Sequence, residues 1–575
     1  MGTVCSMRSA LDRYLLKRFG PEALRQAQAA DGAVPTAGGA AERIVAAAEE
    51  LRPQLAPLRF LLTVEFGLRA IVEPVWEQLG LKEVLQGFAA EHRIRFDFER
   101  VIFGMVLNRL VDPLSKLACN DWLKDRAYFP EGRDWHVRQF YQSLDLLHQH
   151  AEELDRAIRR GLRLRMKPEE LELLLLDTTS SYFESDLDDV ERAAVEADWQ
   201  AHDRGERPEP PLTPRPQVIN DPPVRMRGHS KDHRANSPQV VVATVCAKNG
   251  VILAHQTFPG NTADPSVTLT MLAEAAKAEP GQPDSRKVVV FDSGMGGEAN
   301  LAALDALPDP PDRISAVPLR NNKFGRQEVI GRVGRYRQHP TKPNLKLRTV
   351  HVPADQSPSG RAELWIATRN HKDRERQHRK IERHVQQVEA VLAKDDRAEG
   401  HGQQLQELLA HRTQKGYLTL SKDGTRYLLS QERVRQEKLL AGMHLLRTTL
   451  VDRDPVEILD AYQALLTVEE NFRIFKGPLK LRPMHHRLGR RIEAHVTLCV
   501  LALVVLRELE LRTGLNHRKL VELFGPIKAT LTEQGQTRFW QRNEWPEQAT
   551  QVLDALRIDP GPVTWGATRV EPDGS

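Results

Sequence analysis

The sequence predicts a mixed α/β protein: a sheet of buried strands, with a helical region ahead of it and a β-rich insertion within it. Three observations predict this. Near residue 170 the apolar spacing switches from three- and four-residue steps to short continuous runs. After the switch the segments read strand, strand, strand, helix, strand. A second group of strand-like runs then precedes one long helix at 454–476.

The chain has 575 residues, too many for one core, so roughly two to four domains are expected. Lys plus Arg number 82 and Asp plus Glu 78, a net charge of +4. That balance is too small to argue anything globally, so any nucleic-acid footprint must be local. Cys5, Cys119, Cys246 and Cys499 are scattered, with no C-x-x-C pair and no zinc spacing. Reduced thiols in a cytoplasmic protein are the simplest reading. The longest apolar run, "VTLCVLALVVL" (496–506), is too short for a bilayer and reads as a buried helix. No apolar leader is visible at the N-terminus.

Residues 1–57 are Ala-rich and broken by "ADGAVPTAGGAAE", a flexible stretch. Residues 58–165 carry helical periodicity without a strand signal, as in "FERVIFGMVLNRLVDPLSKLA". "LELLLLDTTS" (171–180) is a strand buried on both faces. The Pro-rich stretch within 184–227 cannot be a central strand and reads as a partly disordered excursion. "QVVVATVCA" and "VILAHQTF" are strands joined by a Lys-Asn-Gly hairpin turn. "DPSVTLTMLAEAAKA" is a helix with Asp264 as N-cap. "KVVVFDSGMGG" is a strand ending at Asp292. These strands, 166–310, form a core completed by 451–510. Residues 311–450 read as a separate, partly β insertion with a basic helix around Arg374–Arg383. The helix 454–476 has Asp454 as cap, Pro455 at its first position, and a stop at Gly477-Pro478. Residues 511–575 are expected to be helical with a flexible tail.

Two strand-end aspartates, Asp177 and Asp292, and one helical glutamate, Glu469, are what a two-metal site requires. Hard oxygen ligands suit Mg²⁺, and a pair of such ions activates a nucleophile and stabilises a leaving oxygen. Tyr462, Leu466, Glu469, Arg473, Lys476 and Lys480 step by three or four and share one helix face. Residues 471–491 hold seven Lys or Arg and no acid. Each feature alone also fits a structural role: a turn aspartate, a solvated Glu469–Arg473 pair, a solvated basic surface.

Taken together, the blocks "LLLLDTTSSYFES", "GHSKDHRANSPQVVVA" with "FPGNTADPSVTL", "VVVFDSGMGGEANLAAL" and "YQALLTVEENFRIFKGPLKLRPMHHRLGRRIEAHVTLCVLAL" resemble the DDE transposases of bacterial insertion sequences. The likeness is to the family-four superfamily and its sixteen-thirty-four-like branch, over about 60 to 510, and "VLNRLVDPLSKLACNDWL" resembles the family's N-terminal region. It implies an α/β fold with a ribonuclease-H-like catalytic core, a helical N-terminal region for DNA binding or dimerisation, and a β-rich insertion domain. Asp177, Asp292 and Glu469 would be catalytic and bind two Mg²⁺, with Mn²⁺ as a substitute. Tyr462 and Lys476 would contact DNA near the cleaved phosphate. Arg473, Lys480, Arg482, Arg487, Arg490 and Arg491 would hold phosphate backbone without reading sequence. Leu465 departs from the family's common Arg at that position, and the 186–227 excursion is long. The partners implied are double-stranded DNA, as terminal inverted repeats and target, and a second copy of the chain. A metal-dependent nuclease and a transposase-derived DNA-binding protein without catalysis are the alternatives.

Overall fold

The computed structural model describes residues 58–163, 172–216, 221–232, 234, 236–276, 287–319, 322–332, 334–394, 400–411 and 413–569. The N-terminal stretch 1–57 lies outside them. The described residues divide into two compact units, one within 65–527 and 545–560, the other of 58–64, 528–544 and 561–569.

The first described element is a strand, β1 (Leu58–Glu65), where helical periodicity alone was expected. Helices α1 (Gly67–Gln78), α2 (Leu81–Glu91), α3 (Phe98–Val111), α4 (Lys116–Asp125), α5 (Val137–Gln149) and α6 (Ala151–Arg163) follow. Local chemistry sets their starts: Asp97 accepts from Arg100 N and Ser115 from Ala118 N, satisfying otherwise orphaned donors.

Strand β2 (Leu173–Tyr182) is buried on both faces from Leu173 to Leu176, as its continuous apolar run requires. The excursion after it contains a helix, α7 (Asp189–Asp203), which opens on an Asp188–Glu191 capping box. β3 (Gln239–Cys246) and β4 (Ile252–Pro259) form the expected hairpin. Next come α8 (Asp264–Ala276), β5 (Val288–Phe291), α9 (Glu298–Asp305) and β6 (Asp312–Ala316).

The segment 311–450 corrects the expectation of a separate unit. It supplies β6, then β7 (Arg337–Gln338), β8 (Leu345–Val352), β9 (Glu363–Asn370), α10 (His371–Leu392), α11 (His401–Ala410), β10 (Leu418–Leu420), β11 (Tyr427–Leu429), α12 (Gln431–Leu440) and β12 (Met443–Thr448). Nine strands form one sheet in the order β4-β3-β2-β5-β6-β12-β9-β8-β7. β2, β5 and β6 are mutually parallel, and the flanking pairs are antiparallel. The physical reason is edge satisfaction: β6 would otherwise expose a row of unpaired backbone groups, and β12 covers it. Within the segment, α10–α12 with the β10–β11 hairpin keep a cluster of their own, around Ile381, Val388, Leu408, Tyr417 and Val434, and Val317, Val329, Trp365 and Leu445 belong to another. Arg374, Arg379 and Arg383 of α10 are solvent-exposed.

The long helix expected over 454–476 is two helices, α13 (Pro455–Gln463) and α14 (Leu465–Lys476). Asp454 caps the first, accepting from Val456 N at 2.8 Å. At Ala464 the hydrogen bonds tighten to three-residue steps, Ala464 N to Ala461 O and Thr467 N to Ala464 O. α15 (Gly489–Thr513) contains the apolar run 496–506 and is buried almost throughout. Among the described residues no helix is long and apolar enough to cross a membrane. One face of the sheet packs Leu174, Leu176, Val289 and Phe291 on α8 and α9; the other packs Leu173, Leu175 and Val290 with α14 and α15.

After α16 (His517–Phe524) the C-terminal part departs from helix. β13 (Lys528–Gln534) and β14 (Thr537–Arg542) turn at Gly535, whose φ is +60°. α17 (Glu547–Leu556) and β15 (Thr564–Arg569) complete it. A second sheet has the order β1-β13-β14-β15. The alternation in "KATLTEQGQTRFWQR" is a hairpin signal that the helical expectation overlooked.

Candidate active site

The β2–β5 ladder ends at Leu175 opposite Val290. Asp177 and Asp292 each stand two residues further on, so both leave the same face of adjacent parallel strands, which are spaced by about 4.8 Å. Asp292 directly follows β5. Its Oδ1 accepts from Gly294 N at 2.8 Å and Met295 N at 3.3 Å, which fixes the carboxylate at the strand end. Asp177 is half-buried, and its Oδ1 accepts from Thr178 N at 2.7 Å.

Glu469 is exposed on α14, which lies on that face of the sheet through Val468, Phe472 and Phe475. Half-buried Tyr462, at the end of α13, is the common reference point. Burial first, and then the charges of Asp292, Glu469 and Asp177, push its phenol up to about 12. The charges of all three carboxylates thus act on one hydroxyl, which keeps its proton at neutral pH.

α14 is seated by a polar clasp. Asn471 donates to Gly250 O at 2.7 Å, and Arg507 of α15 donates to Asn471 Oδ1 at 2.7 Å. Gly250, in the β3–β4 turn, has φ +85°, and a Cβ there would lie 2.3 Å from Thr467 Cγ2. Gly250→Ala should therefore destabilise by about 2 kcal/mol, combining left-handed backbone strain with overpacking. Thr467→Ser removes the opposing methyl, so the double variant should recover about half the loss in urea titrations. Additive effects would show that Gly250 matters through its turn alone.

Two residues that sequence reasoning did not assign lie in the same region. Lys231 Nζ donates to Thr178 O at 2.9 Å and stands 3.9 Å from Asp177 Oδ1. Asp232, buried, accepts Lys476 and Arg482, each at 2.6 Å. The available signal was a charged Lys-Asp pair shortly before a wholly buried strand. Burial lowers the Lys476 ammonium from its ordinary value, and pairing with Asp232 works against that shift. Arg482 also lies over the Tyr182 ring at 5.6 Å.

The other basic residues divide into two sets. Arg473, Lys480 and Arg487 are exposed. Lys480 lies past the end of α14 with φ +44°, so it does not share the helix face of Glu469. Leu466, also expected on that face, is exposed. Arg109 of α3 holds the turn at Lys480, donating to the Leu479 and Lys480 carbonyls at 3.3 Å. Arg490 pairs with Asp145 at 3.0 Å and Asp221 at 2.6 Å, and Arg491 with Asp145 at 2.7 Å. Their charge is largely compensated within the chain, which reduces what they offer a phosphate.

A groove of about 950 Å³ opens beside Ser293 and Tyr462 and extends past His444 to Lys372 and Arg376 at the start of α10.

The family model for the transposase DDE domain matches residues 213–505, just over half of the chain. Asp292 and Glu469 fall inside the match, and Asp177 precedes it. No curated protein matches the chain. Among solved structures, the cryo-EM structure of a piggyBac transposase synaptic complex with hairpin DNA aligns at 8% identity and a TM-score of 0.35, covering 80% of this chain and 76% of that one.

Proposed function

Because the chain belongs to the transposase DDE domain family, we propose that it is the transposase of a bacterial insertion sequence, of the sixteen-thirty-four-like branch of the family-four superfamily. It binds the terminal inverted repeats as a dimer, hydrolyses one strand at each 3′ end, and joins those ends to target DNA. The observation that supports this reading is the match to the transposase DDE domain over residues 213–505, beside Asp177 and Asp292 at the ends of adjacent parallel strands. The order of strands β4, β3, β2, β5 and β6, three antiparallel and then two parallel additions, supports a ribonuclease-H-like core. The protein acts in the cytoplasm, on the nucleoid.

The three carboxylates would offer an all-oxygen donor set, the kind that suits Mg²⁺. When bound, two such ions would lower the pKa of bound water and offset charge on the leaving oxygen. The chain's own residues do the rest. The Tyr462 hydroxyl donates a hydrogen bond to a phosphate oxygen beside the scissile bond. Lys476, held by Asp232, sets a positive charge at the mouth of the site. Arg473, Lys480 and Arg487 engage the flanking phosphates, giving affinity that falls with salt and does not depend on sequence. Water attacks first; the liberated 3′-hydroxyl then attacks a target phosphodiester, so no covalent protein intermediate forms.

The test uses the purified chain, a duplex carrying the inverted repeats that flank its gene, and Mg²⁺. Nicks with 3′-hydroxyl ends should appear at the repeat termini, followed by joined products with a target plasmid. Repeat binding without nicking would favour the non-catalytic reading. Nicking without joining would favour a nuclease.

A further inference from the structure

We propose that a second metal centre, for a zinc-like divalent ion, is built from Glu91, His92 and His150 in the helical region. Glu91 ends α2, His92 caps it, and His150 sits between α5 and α6. Single ligand atoms of the three residues all lie within 4.8 Å of one another. His92 Nε2 faces His150 Nε2 at 2.7 Å. None of these residues belongs to the carboxylate site around Tyr462, so the inference stands apart from the transposase reading.

The outer bonds show which nitrogen is available. His150 Nδ1 lies 2.7 Å from Glu153 Oε2 in the first turn of α6. A proton on Nδ1 donated to that carboxylate leaves the lone pair on Nε2, aimed at His92. This is the carboxylate–histidine arrangement that orients metal-ligating imidazoles and raises their basicity. The His150 ring is buried and held from its face by Phe88, with centroids 4.3 Å apart. One ligand is thus rigid while His92 and Glu91 are exposed and free to adjust. A simple imidazole–imidazole hydrogen bond accounts for the two rings, but not for the Glu91 carboxylate at the same point.

Two imidazole nitrogens on one tetrahedral zinc lie roughly 3.3 Å apart, from Zn–N bonds of about 2.05 Å. A small rotation of His92 opens the present contact to that span. The donor set of two imidazoles and one carboxylate, with a fourth position for water, suits zinc better than magnesium. The ion would tie the end of α2 to the α5–α6 junction. α6 in turn supports the sheet edge: its Asp155 holds His255 of β4 at 2.9 Å.

The experiment measures zinc by mass spectrometry in the full chain, stripped with chelator, reloaded and dialysed. An Asp177→Asn/Asp292→Asn background excludes ions held by those carboxylates. About one zinc per chain should remain. His92→Gln and Glu91→Gln, both at exposed positions, should lose it while circular dichroism stays unchanged. Glu153→Gln, outside the ligand set, should weaken affinity by about 10- to 100-fold. Zinc should raise the melting temperature of the background protein and not that of His92→Gln. No retained zinc in the background protein, or equal retention in His92→Gln, would overturn the proposal.

Discussion

Asp292→Asn should reduce strand cleavage by about 10³-fold or more while leaving repeat binding and folding unchanged. A factor of that size is roughly 4 kcal/mol of barrier, the scale expected when a ligand that activates the nucleophile is removed. This position makes a clean test because of its local bonding. The structural task of Asp292 is to accept Gly294 N and Met295 N through Oδ1. An asparagine oxygen can accept the same two bonds, so the turn into α9 survives and only the charge is lost. Asp177→Asn should behave alike, since Asp177 Oδ1 also accepts a backbone amide. The measurement is single-turnover cleavage in Mg²⁺ beside a gel-shift titration. Cleavage within tenfold of wild type would remove Asp292 from the site.

The second large effect concerns Asp232. Its side chain is 4% exposed, and it accepts both Lys476 and Arg482. Asp232→Asn leaves two cations facing a neutral amide, with Lys476 only 14% exposed. Breaking a buried pair in this way should destabilise by about 3 kcal/mol, read from chemical denaturation. Adding Lys476→Met removes one stranded charge and should return about 1 kcal/mol or more; strict additivity would refute the coupling.

The pH dependence of this pair has a definite sign. Lys476 titrates below its ordinary 10.5 because burial outweighs Asp232. In the window below 10.5 the unfolded chain binds more protons at this residue than the folded one. Its contribution to stability is therefore largest above that window and is lost as pH falls through the folded value. Asp232→Asn removes an interaction that raises the Lys476 pKa, so the alkaline limit of cleavage should move to lower pH. An unmoved limit would mean that the charge on Lys476 is not used in cleavage.

Much of the architecture was legible because it depends on local pattern. Uninterrupted apolar runs imply strands covered on both sides, and β2, β3 and β5 are such strands. Lys-Asn-Gly implied a hairpin, and Gly250 provides its positive φ. The two aspartates were legible as strand ends, a property of each segment alone. Less legible were features lacking a strong period. β1 is an eight-residue strand beside helical sequence, and the break at Ala464 has no Gly or Pro to announce it. The β13–β14 hairpin turns on Gln534-Gly535-Gln536, a weaker signal than Asn-Gly.

Segment types, the family resemblance and the candidate carboxylates could be read from the chain alone. Those follow from side-chain period, turn chemistry and motif order, which operate over a few to a few tens of residues. That 311–450 extends the central sheet emerges in the fold, because strand pairing depends on which edge is open and not on the strand's own residues. The fold also decided the use of charge. A run of seven cations is uniform along the chain, but in the fold Lys476 and Arg482 share Asp232 and Arg490 and Arg491 share Asp145, while Arg473, Lys480 and Arg487 face solvent. Ion pairing is set by distance through space, and partners more than two hundred residues away in sequence leave no trace in the run itself.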